Sequence, residues 1–411
     1  MNAQDRTLPA GNPGDDQFVA GLDRLSIDVH REIAPIEREW RALFARSGTT
    51  VYQSFDWTAA WLDAVVPVQN IRPAIVTLRN GRELAMILPL GINRSCGVRI
   101  ARHLGGEHAN IRMPLSAVPW QGADDDAETD RLLRRIAAAI GGVDLFDFDA
   151  LPADADGTPK MLSQHRAARP ARLHVGTLRL ASDFDQLFAG PRRARKAKKY
   201  RWQKNALAPI GGYTFRRAAN RTEAEAMFAA FRAEKSAWFR RMGIADTFAV
   251  PGIESFFRAL IARRFAGGDN TVIDIDAVEF GGAVHALLGS GLANGRQSGY
   301  FLAVTDDEWR RISPGELLIH DAVASACARG TEVLDLGRGD ERYKASWLDR
   351  TEDHIRLLRP VTLAGHAAAG ALRIVDTLER RIRHDERLWQ LVQRLRRRGD
   401  SATSGKDGSD A

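Results

Sequence analysis

Three extended runs follow one another in the second half of the chain: T-V-I-D-I-D-A-V-E-F (271–280), A-V-H-A-L-L-G-S-G-L (283–292) and Q-S-G-Y-F-L-A-V (297–304). Gly281-Gly282 and Ala293-Asn294-Gly295-Arg296 separate them. Connectors this short can only reverse the chain, so the spacing predicts a meander of three antiparallel strands. A helix opened by Ser313-Pro314-Gly315 comes next, where serine can cap the helix and proline fits its first turn. Gly330 is placed to close that helix, and E-V-L-D-L (332–336) reads as a further strand. A meander continued by strand, helix and strand requires a mixed α/β architecture.

The first half shows the same order. A strand-like S-I-D-V-H (26–30) precedes two helical stretches, 33–45 and 55–65, the second carrying Trp57 and Trp61. The runs R-P-A-I-V-T-L and E-L-A-M-I-L-P-L are joined by R-N-G-R, a hairpin signal. R-L-L-R-R-I-A-A-A-I and V-D-L-F-D-F add a helix and a strand, and L-H-V-G-T-L-R-L ends this half. In the second half, helices around A-E-K-S-A-W-F-R-R and I-E-S-F-F-R-A-L-I precede the meander. The division expected is a leader over 1–25, one module over 26–180, a second over 181–362, a C-terminal helix over 363–398 and a polar tail over 399–411.

At 411 residues and 44% hydrophobic content, the chain can fill two cores of ordinary size. Lys plus Arg number 59 against 52 Asp plus Glu, a net charge of +7 that favours phosphate-bearing ligands, nucleic acid or anionic lipid without choosing among them. The N-terminal stretch has neither the basic nor the apolar segment of a signal peptide. No apolar run reaches the roughly 18 residues of a membrane span, so a cytoplasmic protein is expected. Cys96 and Cys327 lie far apart in apolar surroundings, which predicts two buried, reduced thiols.

Eight of the thirteen residues from Arg192 to Lys204 are Lys or Arg, with Tyr200 and Trp202 interleaved. A helix is expected over 191–208. Its cations Arg192, Arg193, Arg195, Lys196, Lys198 and Lys199 could contact a phosphate-rich ligand or form a solvated face; no base-reading motif accompanies them. Beyond residue 370, Val375, Leu378, Ile382, Leu388, Val392 and Leu395 share one helical face, with arginines opposite. That helix could dock on the body, pair with another subunit or lie on an anionic membrane as a peripheral contact.

The order of helices, meander, S-P-G-E-L-L, then G-T-E-V-L-D-L-G-R-G-D-E-R-Y-K and a final strand resembles the BioF2-like, CelD-type acyltransferases of the GNAT superfamily, which are related to the FemABX peptidyl transferases. The resemblance covers about 181–359 well. The first half, with F-D-W-T-A-A-W and the strand pair ending in I-L-P-L, is similar less distinctively. It implies two GNAT-like modules side by side, each a mixed, mostly antiparallel sheet flanked by helices. It also implies an acyl-CoA donor with its pyrophosphate at Ser313, Pro314, Gly315 and Glu316, no metal, and an amine or hydroxyl acceptor on a sugar or envelope polysaccharide precursor.

FemABX relatives use aminoacyl-tRNA and carry an aromatic–lysine pair, which Tyr343-Lys344 matches in type and place. The chain has R-R-I-S-P-G where GNAT enzymes have a glycine-rich pyrophosphate loop, so a tRNA donor and a non-catalytic scaffold both stay open. A lysine near the reacting carbonyl can stabilise the negative oxygen of the tetrahedral intermediate, the role expected of Lys344. Tyr343 could give a proton to the leaving group, and Asp335 could orient an amine or anchor the glycine turn after it. Lys235, Trp238 and Arg241 fall where the family lines its acceptor side; His285, Tyr300 and Arg338 complete the expected substrate contacts. His285, alternating with apolar neighbours, reads more readily as a core or strand-face residue than as a general base. His103, Glu107 and His108 are loop polar residues whose spacing fits no zinc site.

Overall fold

Long apolar runs broken by tight turns dominate both halves, and they close into two separate sheets. The structure is a computed structural model describing residues 21–116, 125–154, 158–172, 174–188, 191–267, 272–338, 344 and 346–384. The first sheet contains β1 (Ser26–His30), β2 (Arg72–Asn80), β3 (Glu83–Ser95), β4 (Val98–His103), β5 (Leu115–Ser116), β6 (Leu145–Pro152) and β7 (Ala168–Pro170). The second contains β8 (Val175–Arg179), β9 (Thr214–Arg217), β10 (Asp274–Phe280), β11 (Ala283–Ala293), β12 (Arg296–Val304), β13 (Val333–Arg338) and β14 (Arg350–Glu352), while β15 (His354–Pro360) returns to the first.

Strand order in the first sheet is β1-β2-β3-β4-β6-β15-β7, with β5 on β3. In the second it is β14-β8-β13-β12-β11-β10-β9. The meander β10-β11-β12 is antiparallel, as the glycine turns require.

Each sheet contains a single parallel step among the described strands, and each such pairing is short. In the first, β4 pairs β6 only at Ile100↔Leu145 and Ala101↔Phe146. In the second, β12 pairs β13 at Arg296↔Val333, Gln297↔Leu334 and Ser298↔Asp335. Beyond those points the strands diverge, leaving one wedge per sheet. A parallel step needs a crossover; α3 (Asp126–Ile140) supplies it in the first sheet and α8 (Pro314–Ala328) in the second.

Sheet membership departs from the chain order expected of consecutive modules. Val175–Arg179, read as the end of the first half, pairs with β13 and β14, and the final strand pairs with β6 and β7. Both exchanges cover a strand edge that would otherwise expose unpaired peptide groups. Cys96 also departs from expectation: it is exposed in the two-residue turn between β3 and β4, whose residues Cys96 and Gly97 both have positive φ. Cys327 is buried.

Aromatic side chains join the two bodies. Trp57 and Trp61 of α2 (Phe55–Ala64) stack at 5.6 Å, and Phe256 of α7 (Ile253–Arg264) meets their edges at 5.0 and 5.1 Å. Tyr52 meets Tyr300 at 5.7 Å. Each such side chain buries roughly 150–250 Å², so the modules share one core and have a fixed relative position.

The C-terminal helix α9 (Leu363–His384) docks on the first sheet. Ala369 packs with Ile100, Leu145 and Leu358, and the Arg356 guanidinium spans Asp147 on β6 and Asp376 on α9 at 2.7–2.9 Å. Leu363, Ile374, Val375 and Leu378 remain exposed. No helix among the described residues is long and apolar enough to cross a membrane.

Gly365 lets α9 approach so closely that a Cβ there would collide with the Asp144 carbonyl. Gly365→Ala is expected to cost about 1–3 kcal/mol, read as a lowered denaturation midpoint. An unchanged midpoint would show that the contact is readily relaxed.

Candidate functional site

The wedge of the second sheet opens at a buried carboxylate. Asp335 has no exposed surface and is the last residue of β13 paired with β12. It accepts hydrogen bonds from Arg296 Nε at 2.9 Å, Ser298 Oγ at 2.7 Å and the Gly337 amide at 3.1 Å. Arg296 also binds both Glu352 oxygens at 2.9 Å. Burial opposes the Arg296 charge, yet Asp335 and Glu352 outweigh it and hold the guanidinium above its usual range. Asp335 is therefore a hinge pin between β12 and β13, and it does not line the cleft.

After the pin, Gly337 takes φ +79°, and its Cα faces the Asn110 side chain and the Gly299 carbonyl. Asn110, from a loop of the first module, donates to the Gly299 carbonyl at 3.0 Å and to the Tyr52 hydroxyl at 2.7 Å. It fills the apex of the wedge. Above it lies a cleft of about 150 Å³ whose lining includes Lys235, Tyr300, Arg338 and Lys344 together with Asn110, Phe248, Phe301 and Leu336. Three of these side chains are cationic, and no carboxylate is among the lining residues.

Lys344 is 4% exposed and its ammonium donates to the Arg338 carbonyl at 2.8 Å. Lys235, on α6 (Arg221–Met242), lies 4.5 Å from the Trp238 ring centroid. Trp238 itself is exposed, and Arg241 pairs with Asp306 at 3.3 Å, so both stand on the rim and not in the cleft. Tyr300 forms a wall. Burial pushes its phenol well above the usual tyrosine range, and the hydroxyl donates to the Val272 carbonyl at 2.8 Å. His285 is apart from the cleft: its ring stacks on Phe280 at 3.8 Å and is hydrogen-bonded to Asp307 at 3.0 Å, the strand-face reading. Tyr343 lies outside the described residues.

The mouth of α8 adjoins the same end of the sheet. Ser313 has φ +59° and makes no side-chain cap, unlike the expectation, because that conformation is fixed from outside: Gln203 donates to the carbonyls of Ile312 at 2.6 Å and Ser313 at 3.2 Å. Pro314 is buried, and Gly315 packs toward Val304 of β12. Glu316 is paired with Lys196 at 3.0 Å. Lys196 also donates to Ser346 at 2.8 Å and lies 4.0 Å from the Trp347 ring, which ties the helix mouth to the segment bearing Lys344.

Gln203 and Lys196 belong to α5 (Pro191–Leu207), the basic helix. Its Arg195, Lys198 and Lys199 are exposed, whereas Lys196 is largely covered; the side chains of Arg192 and Arg193 are outside the described residues. Sequence reasoning did not single out Asn110, Phe248 or Gln203. Asn110 sits 189 residues from its carbonyl partner, and nothing local in either stretch signals that contact.

His103, Glu107 and His108 do not assemble as a metal site: no metal-holding group of His, Cys, Asp and Glu occurs among the described residues. His103 packs on Phe148 at 4.9 Å, and His108 Nε2 donates to the Thr247 carbonyl at 3.2 Å and lies against Phe248.

The comparisons with known proteins agree with this geometry. Residues 192–345 match the family model described as the acetyltransferase (GNAT) domain. The fold is similar to FemX, at TM-score 0.52 and 11% identity over 78% of this chain and 95% of that one. L-PGS from Bacillus licheniformis aligns at 0.50 and 12%, covering 83% and 96%. A conserved protein of unknown function from Bacteroides thetaiotaomicron aligns at 0.50 and 11%, covering 80% and 99%. No curated protein matches the sequence. The wedge, the meander and the matched model together mark a GNAT acetyltransferase domain in the second half of the chain. The chain carries that domain over residues 192–345, and its fold is shared with FemX.

Two predictions follow from the buried groups. Burial lowers His103 and His354 to about 3 and His108 to about 4, against an ordinary value of 6.5. All three are neutral when folded, and unfolding lets them take protons below pH 6.5. Stability is thus complete above about pH 6.5 and falls with acidification toward pH 4. Melting temperature against pH should show this, with a flatter slope for His103→Leu; an identical slope would remove His103 from the account. Asp335→Ala, which leaves Arg296 buried without one partner, should cost about 3–5 kcal/mol in denaturant unfolding.

Proposed function

We propose that the chain moves an acyl group from an acyl-CoA thioester to an amine or hydroxyl of a sugar or cell-envelope polysaccharide precursor, by direct transfer in a ternary complex. The observation that carries this reading is the convergence of Lys344, Arg338 and Lys235 on one small cleft at the point where β12 and β13 part. Acyl transfer passes through a tetrahedral intermediate with a negative oxygen, and fixed cations in a water-poor pocket lower that barrier more than they would in water. Lys344 is the group assigned to the oxyanion, held by the Arg338 carbonyl. Asp335 acts at one remove, by positioning the turn.

The donor's phosphates would run toward the mouth of α8, where the helix dipole and Lys196 supply positive potential. Glu316 opposes them there, and its pairing with Lys196 reduces the opposition. CelD-type and BioF2-like relatives provide the sugar and envelope setting by resemblance. A second reading, transfer from charged tRNA, is favoured by the exposed Arg195, Lys198, Lys199 and Arg201 along α5. It predicts tRNA binding that weakens steeply with salt.

Calorimetric titration with CoA, acetyl-CoA and longer acyl-CoA thioesters separates the two. Saturable binding of a thioester is expected, and Lys344→Ala should lower kcat about 100- to 1,000-fold with thioester affinity little changed and a folded melting profile. No binding of any thioester, with salt-sensitive tRNA binding, would replace the first reading by the second.

A further inference from the structure

The first sheet has its own wedge, between β4 and β6, and it holds a larger cleft of about 640 Å³. That volume lies within the roughly 300–1,000 Å³ of small-molecule sites. One wall is the diverging strand pair, with Arg102 and His103 on β4 and Asp147 and Asp149 on β6. The opposite wall is α9, which contributes Leu372, Arg373 and Val375.

Charge in this cleft is unbalanced. Seven arginines line it against four carboxylates, Glu107, Asp147, Asp149 and Asp376. Asp147 and Asp376 are consumed by Arg102 and Arg356 at 2.7–2.9 Å. Glu107 and Asp149 are shared between Arg112, at 3.4 and 3.5 Å, and Arg338, at 3.8 Å from each. Arg169, Arg172 and Arg373 complete the seven, and Arg172 also acts on Glu107.

Buried polar atoms of this cleft are without hydrogen-bond partners among the described residues. The Arg338 side chain is 7% exposed, and its Nε and Nη1 have no hydrogen-bond partner among the described residues. The same holds for both ring nitrogens of His103, also 7% exposed. Unmet buried donors cost about 1–3 kcal/mol each, and an anion accepting from a guanidinium fork removes that cost. Burial, and after it the neighbouring Arg112, lower the Arg338 guanidinium from its usual range against the opposing effect of Asp149 and Glu107.

Arg338 lines both clefts. It follows Gly337 at the wedge of the second sheet and reaches Glu107 and Asp149 of the first module. Leu358, Leu372 and Val375 give the larger cleft an apolar side facing its arginines.

We propose that the wedge between β4 and β6 is a second binding site, for a phosphate ester whose organic part lies along Leu358, Leu372 and Val375, and that Arg338 connects it to the reaction cleft. The identification of the ester as the acceptor rests on the acyl-transfer reading; the site itself does not.

The full-length protein is titrated with inorganic phosphate and with octyl phosphate at low salt, independently of any thioester. Saturable binding of both is expected, octyl phosphate about tenfold tighter because part of its chain is removed from water. Arg338→Gln and the more exposed Arg172→Gln should each weaken both probes about tenfold, Val375→Ser should erase part of the octyl preference, and Arg38→Gln, an exposed residue of the first module, should change neither. Absence of binding, binding undiminished in both arginine variants, equal loss in Arg38→Gln, or no preference for the octyl ester would overturn the proposal. Melting profiles exclude misfolded variants, and Arg172→Gln keeps the test decisive if Arg338→Gln does not fold. Thioester binding without phosphate binding would defeat this site alone, and the reverse would defeat the acyl-transfer reading alone.

Discussion

The second module depends on one carboxylate with no access to water. Asp335 satisfies a guanidinium, a hydroxyl and a peptide N–H at the last paired step of two parallel strands. Charge-assisted bonds of this kind are strong because the surroundings cannot compete for the donors. They stop β12 and β13 from continuing their ladder, since Gly337 is drawn back onto Asp335 in a left-handed conformation. The wedge is thus built into the polar chemistry of four residues, Asp335, Arg296, Ser298 and Gly337, and the cleft is the space that the interrupted ladder leaves.

The same device occurs in the first sheet with different chemistry. There Asp147 is the buried carboxylate, and its partners are Arg102 on the neighbouring strand and Arg356 on β15. Arg356 extends the network to α9, so the C-terminal helix is held by charge at Asp376 and by the apolar packing of Ala369 nearer its start. The exchange of β8 and β15 between sheets, with the Trp57–Trp61–Phe256 cluster, prevents the two wedges from shifting relative to each other. Asn110 exploits that rigidity, since a side chain from one module can close the apex of the other's wedge only when the modules are fixed.

The basic helix has a divided role. Gln203 and Lys196 turn inward, one onto the carbonyls before α8 and the other onto Glu316, Ser346 and Trp347. Its remaining described cations face solvent. A lysine over an indole beside a carboxylate is stabilised by both partners, so the helix mouth and the Lys344 segment are tied through α5, although neither touches the other in sequence.

Much of the architecture was legible in the chain. Glycine-bounded runs of alternating or continuous apolar residues specified the meander, and Ser-Pro-Gly marked the start of α8, because turn geometry and helix entry depend on a few adjacent residues. Lys344, Arg338, Tyr300 and Lys235 could be named as candidates from residue type and resemblance. Their convergence could not, nor could the separation of His285 and the rim position of Trp238 and Arg241. Those outcomes depend on where strands part and on contacts such as Asn110 with Gly299, spanning 189 residues. The sequence by itself determined the long helices and the glycine-bounded strands, since those rest on local dihedral preferences and side-chain period, while short strands such as Ala168–Pro170 and Thr214–Arg217 carry no such local signal. Only tertiary structure decided which sheet receives β8 and β15, which arginines are neutralised and which face a cavity, because strand-edge pairing and charge neutralisation act between segments whose order along the chain carries no record of their contact.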